Sequence, residues 1–234
     1  MRYNTSIVKK CHDYLRWKHK KQGLKGEEMS MKKEVMVDMT SGRIAPQILK
    51  FAMPVLLGLV FQRIYNFADS YIVGHFLGDN ALAAVSVAGV GMYLVFSLII
   101  GLTTGVTVVM SQYYGAKEED KVVKTFFSSI FIALGMTIFV TVIGLLMTRP
   151  LLIVLQTPAE VLDAAVLYLR IICAGSVGTM LYNWISAVLR SLGNSVVPLI
   201  FLGISSLLNI VFDILFVAVI PMGVGGAAFA TVLA

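Results

Sequence analysis

Residues 82–110 read LAAVSVAGVGMYLVFSLIIGLTTGVTVVM, a stretch without a single charged side chain. A helix that crosses the hydrocarbon core of a bilayer needs about 20 consecutive apolar residues. This stretch exceeds that length, and it lacks the strict alternation of a membrane β-strand. It therefore predicts a transmembrane helix. Spans of the same kind lie to either side. The first runs from about Ile48 to Val73, the third from about Phe126 to Met147, the fourth from about Ala164 to Leu189 and the fifth from about Val196 to Val219. A sixth begins near Gly223 and is still apolar at Ala234. The expected fold is all-α: a polytopic membrane helix bundle of about six transmembrane helices.

Composition agrees. Of 234 residues, 58% are hydrophobic and 14% charged, whereas soluble domains run nearer half and a quarter. Mean hydropathy is +0.84. The charges crowd into the first fifty residues instead of being spread over a solvated surface. Residues 1–45 read as a basic cytoplasmic tail, disordered or partly helical, and 46–234 as the helical lobe. No apolar core with a small-residue cleavage site follows the tail's charges, so it is not a signal peptide. The net charge of +6 fits contact with anionic headgroups better than nucleic-acid binding, which is not expected.

Short polar segments separate the spans: 74–80, 115–121, 148–163, 191–195 and 220–223. Pro150 and Pro158 are the expected breakers in the third of these. Lysines and arginines concentrate in the tail, in the 115–124 loop (Lys117, Lys121, Lys124) and at Arg190; Arg149 and Arg170 fall on the other side. The positive-inside rule then puts the N-terminus in the cytoplasm of a multi-pass protein of the cell's inner (plasma) membrane. Glycines 89, 91, 101, 105, 135, 175 and 178 lie within the spans, and Gly101 and Gly105 form a GxxxG pair. Small residues of this kind let helix backbones approach closely in lipid.

Ionisable groups inside a bilayer are costly, and each is a functional candidate. Gln62, Tyr65, Asn66 and Asp69 recur at spacings of three and four, so they share a helix face. A polar stripe of this kind must look into the bundle or a wet cavity; the plainer alternative places Asp69 in the interface. Asn209 and Asp213 stand one turn apart in the fifth span. An apolar setting favours the neutral form of a carboxyl, so Asp213 can exchange a proton, or hold a desolvated cation with the Asn209 oxygen. A neutral Asp213 that locks two helices is the alternative. Arg63 either pairs with a carboxylate across the bundle or sits hydrated in a polar interior. Pro54, inside the first span, removes a ladder hydrogen bond and is a candidate hinge.

Enzyme readings find no support. His12, His19 and His75 have no metal spacing, and no GxxxxGK[ST] loop is present. Cys11 and Cys173 lie too far apart in context to pair; Cys173 reads as a small buried residue. No cofactor and no metal are expected.

Several blocks resemble the multidrug and toxic compound extrusion (MATE) family in order. They are PVLLGLVFQRIYNFADSYIVGHFLGDNALAAVS (54–86), GLTTGVTVVMSQYYGAKEEDK (101–121), NWISAVLRSLGNSVVPL (183–199), SSLLNIVFDILFV (205–217) and GVGGAAFATVLA (223–234). The resemblance implies two six-helix lobes around a central cavity, of which this chain supplies the N-terminal one. It implies export of small cationic organic substrates or drugs in exchange for protons or sodium. It assigns ion coupling to Asp69, Asn209, Asp213 and Thr231, cavity lining to Gln62, Tyr65 and Asn66, and bending to Pro54. Arg63 departs from the uncharged residue usual there. The chain stops within the sixth span, so a C-terminal lobe is expected to be missing from a longer gene product. The alternatives are a lipid-linked oligosaccharide flippase of the related superfamily, which Arg63 favours, and a non-transporting membrane subunit.

Overall fold

The computed structural model describes residues 44–234. The expected tail, 1–45, lies almost wholly outside the described residues. Helix α1 spans Ile44–Leu77, α2 Asp79–Gly115, α3 Glu119–Val154, α4 Ala159–Ala174, α5 Ser176–Ser191, α6 Val196–Asp213 and α7 Gly223–Leu233. The turn after α6, Ile214–Val219, is π-helical. Four helices are long and apolar enough to cross a membrane; α4 and α5 reach that length only taken together, bent by 50° at Gly175, and α7 is a shorter apolar helix. Among the described residues there is no strand.

The segments between spans are tighter than expected. Only Gly78 (φ 83°) separates α1 from α2, because a glycine there supplies the positive φ that reverses the chain in one residue. His75 therefore belongs to the last turn of α1 rather than to a loop. Helix α3 runs through Pro150 to Val154. Pro150 has no N–H to offer the Leu146 carbonyl, yet the helix runs on for one more turn. Helix α1 is likewise continuous through Pro54. The bend between α4 and α5 falls at Gly175-Ser176, the kind of Gly/Ser pair at which helices kink.

Packing centres on α2, which lies against α3 and α4, while α1 packs chiefly on α6 and α7 chiefly on α4. The glycine reading needs correction. A Cβ on Gly101 or Gly105 would meet nothing within 4 Å, and the same holds for Gly89, Gly135 and Gly178. Of the glycines expected to pack closely, Gly91, whose Cβ would sit 2.8 Å from Leu169 Cδ2, and Gly175 do so; close approach is also made at Gly144 and at Gly226, whose Cβ would sit 2.7 Å from the Phe216 carbonyl oxygen. The GxxxG spacing places two glycines on one helix face; it does not say which face meets a neighbour.

Polar cross-links fix the bundle. The Trp184 indole N–H donates to Ser129 Oγ at 2.9 Å, joining α5 to α3. Thr141 and Ser176 hydroxyls meet at 2.6 Å beside the bend. Ser195 Oγ donates to the Phe51 carbonyl at 3.0 Å and ties the α5–α6 turn to α1. Cys173 is fully buried.

Candidate functional site

Helices α1 and α6 bring together residues more than a hundred positions apart. Asp213 is 0% exposed and Asn209 3%. Both sit on the face of α6 turned toward α1. The Asp69 and Asp213 carboxyl groups lie close enough to share a hydrogen bond. With both ionised, neither has a proton to donate. Five buried side-chain atoms here have no hydrogen-bond partner: Asp69 Oδ1, Asn209 Nδ2 and Oδ1, and Asp213 Oδ1 and Oδ2. An unsatisfied buried polar atom costs about 1–3 kcal/mol, so a cluster of them calls for an explanation. A proton between the carboxyls, or a cation ligated by carboxyl and amide oxygens, would satisfy several at once.

Local backbone reinforces the placement. Asp213 is the last α-helical residue before the π-helical turn. The Ile220 N–H donates to the Leu215 carbonyl, five residues back, at 2.9 Å. Single π turns recur at functional sites because they re-aim the side chains beside them. Helix α7 then packs its glycine-rich start onto this turn, with Gly226 against Phe216 O. That brings Thr231 to the cluster, its hydroxyl donating to Ala227 O at 3.0 Å.

Of the cavity residues expected from the sequence, Tyr65 is half-buried; its hydroxyl interacts with the Gln62 side chain and lies near Asp69 and Tyr182. Gln62 lines a crevice between α1, α5 and α6. Asn66 is exposed, and its carbonyl accepts from Ser70 Oγ at 2.9 Å. Pro54 lines the same crevice as Gln62. Arg63 is exposed on the outer face of α1 among Leu56, Leu59, Val60, Ile64 and Phe67. It makes no ion pair among the described residues, so the expected pairing with a carboxylate is not formed.

Sequence reading missed Tyr168. It is 4% exposed on α4, its hydroxyl within hydrogen-bonding reach of Thr231 and close to Asp69, Asp213 and Tyr65. No polar stripe accompanies it. Its neighbours one turn away, Ala165 and Ile172, are apolar. Only the fold reveals that four helices converge on one polar centre. Among the described residues no group of three or more His, Cys, Asp or Glu could hold a metal ion.

The MatE family pattern matches residues 54–215, which cover every residue of this centre but Thr231. The chain belongs to the MatE family. A probable multidrug resistance protein of Bacillus subtilis, YpnP, is 36% identical over 197 residues, 84% of this chain and 44% of the relative. A probable multidrug resistance protein of Thermotoga maritima, NorM, is 28% identical over 81% of this chain and 42% of the relative. Among solved structures, an outward-facing multidrug resistance MATE family transporter superposes with a TM-score of 0.79 at 26% identity, over 84% of this chain and 44% of that one. A MOP superfamily transporter from Pyrococcus furiosus gives 0.79 at 27% identity, over 84% and 43%. The chain thus spans less than half the length of the relatives it matches, roughly the N-terminal lobe of a MATE transporter. It is an integral membrane helix bundle, and the family is one of transporters rather than enzymes.

Proposed function

We propose that this chain is the N-terminal lobe of a secondary active antiporter that exports organic cations or drugs in exchange for protons or sodium. The observation that carries the reading is the set of five partnerless buried polar atoms on Asp69, Asn209 and Asp213. Such a centre is unfavourable empty and favourable loaded, which is what an exchange site requires. Loading changes the bonding between α1 and α6. A ligand shifts a conformational equilibrium only by its differential affinity for the two states, and the ion supplies that difference here. A second lobe, absent from this chain, would complete the substrate cavity, and Pro54 would let α1 bend as the lobes rock. Thr231 and Tyr168 hold the centre's far side. The protein sits in the cell membrane with its N-terminus in the cytoplasm.

The test is ion-driven export by the native full-length gene product. Asp213→Asn is expected to abolish ion-coupled efflux of a fluorescent organic cation from everted vesicles, and drug resistance with it. Resistance retained at normal expression would overturn the reading.

A further inference from the structure

A charged side chain in the middle of α1 takes no part in the exchange centre. Arg63 lies ten residues before Val73, where the apolar run of α1 ends; at about 1.5 Å per residue this is about 15 Å. That is half of a hydrocarbon core about 30 Å thick. Its neighbours Leu56, Leu59, Val60, Ile64 and Phe67 are all exposed, and with it they line a shallow hollow of about 480 Å³. Among the described residues no hydrogen bond or ion pair holds the guanidinium. Asp69 does not supply the missing charge. Six residues further along α1, it points about 120° away around the helix, toward Asp213 of α6.

A guanidinium facing acyl chains at this depth is costly, and charged side chains within spans face a wet cavity or a partner instead. Lipid phosphates lie half a bilayer away. Five large apolar side chains in one exposed patch mark a surface that something covers. The occupant therefore brings both an anionic group and an apolar body. A protein carboxylate would meet the charge, but a desolvated ion pair between moving lobes would hold them together, because breaking it leaves a buried charge unpaired. A molecule that arrives and leaves does not. The hollow also falls within the range of about 300–1,000 Å³ usual for small-molecule sites.

We propose that this hollow is a substrate subsite in which Arg63 holds the anionic group, a carboxylate or sulfonate, of an amphiphilic organic substrate, while the apolar side chains around it take the substrate's body. The proposal rests on the export reading above and narrows its drugs to those that carry an acid, alone or beside a basic group. The planar guanidinium presents paired N–H donors that match two oxygens of such a group. Arg63 is then a specificity-determining residue. The substrate's acid and the coupling ion occupy different faces of α1.

The experiment measures binding to the native full-length protein in phosphatidylcholine nanodiscs, with the signal of empty nanodiscs subtracted. The probes are two fluorophores of nearly equal shape, 8-anilinonaphthalene-1-sulfonate and N-phenyl-1-naphthylamine, which lacks the sulfonate. The wild type is expected to bind the sulfonate at least tenfold more tightly than the neutral probe. Arg63→Gln should weaken the sulfonate at least tenfold and the neutral probe less than twofold. Arg63→Lys, which keeps the charge without the fork, should fall between. Should Arg63→Gln fail to fold, the wild-type preference and Arg63→Lys still decide. No preference in the wild type, or a sulfonate affinity in Arg63→Gln within twofold of wild type, would overturn the subsite. An unchanged preference with a lowered unfolding temperature would assign Arg63 to a carboxylate elsewhere in the protein, and displacement of the sulfonate on adding phosphatidylglycerol would assign it to a lipid headgroup; both overturn it. Binding needs no ion gradient, so these failures leave the exchange reading standing. Coupled efflux retained in Asp213→Asn sinks that reading instead.

Discussion

Asp213→Asn should yield a protein that is more stable than the wild type yet does not couple. The wild-type centre holds two carboxyls within hydrogen-bonding reach of each other and no donor for Asp69 Oδ1 or either Asp213 oxygen. An amide at 213 brings its own N–H pair to Asp69, and removes one of two like charges. Leaving one buried polar atom unpaired costs about 1–3 kcal/mol, so pairing one such atom predicts a gain of about 2 kcal/mol. For a domain of this size about 1 kcal/mol corresponds to roughly 2–4 °C, which sets the expected rise at roughly 4–8 °C. The gain should be largest in alkaline buffer, where the wild-type pair holds no proton, and smallest in acid, where a shared proton supplies the same bond. The assay is thermal unfolding of wild type and variant in one detergent at fixed scan rate across pH, beside ion-driven efflux in proteoliposomes. A site tuned for exchange is expected to trade stability for function in this way. A variant less stable than wild type at every pH, or one that still couples, would refute the reasoning.

Gly226→Ala puts a Cβ 2.7 Å from the Phe216 carbonyl oxygen; backbone cannot yield as a side-chain tip does, so a loss of about 1–3 kcal/mol is expected by thermal unfolding. Gly135→Ala meets open space and should instead gain up to about 1 kcal/mol. Trp184→Phe removes the donor to Ser129 Oγ, which keeps its own bond to the Phe126 carbonyl. The expected cost is about 1 kcal/mol with efflux unchanged. Arg149→Ala breaks the 2.9 Å pair with Asp163, both side chains largely exposed, and should shift unfolding by less than about 0.5 kcal/mol.

The membrane class and span order were legible because lipid leaves only two options for a buried backbone, and uninterrupted apolar runs select the helix. Asp69, Asn209 and Asp213 were legible as charges or amides where none should be; that Asp69 of α1 and Asp213 of α6 come within hydrogen-bonding reach of each other was not, because periodicity places residues only on faces. Loop lengths were not legible, because a single glycine at 78 separates α1 from α2 where composition suggested a connection over 74–80. Proline rules misjudged Pro150, since a break depends on what lies beyond it. The bend at Gly175-Ser176 had a local signal that went unread. The π turn had none: ILFVAV is an ordinary apolar run, and its geometry follows from how α7 docks. Tyr168 was hidden for a related reason, as its polar partners come from other helices.

In the proposed exchange, Asp69 and Asp213 act as one unit that gives up its ion when substrate binds. Infrared difference spectroscopy of the native full-length protein, recorded on adding an organic cation near neutral pH, reads this directly if the ion is a proton, and the same titration with sodium reads it if the ion is sodium. A carboxyl signal should change on substrate addition and disappear in both Asp69→Asn and Asp213→Asn. A signal that survives either substitution, or a carboxyl pair that stays silent to substrate and to both ions, would contradict the proposed exchange.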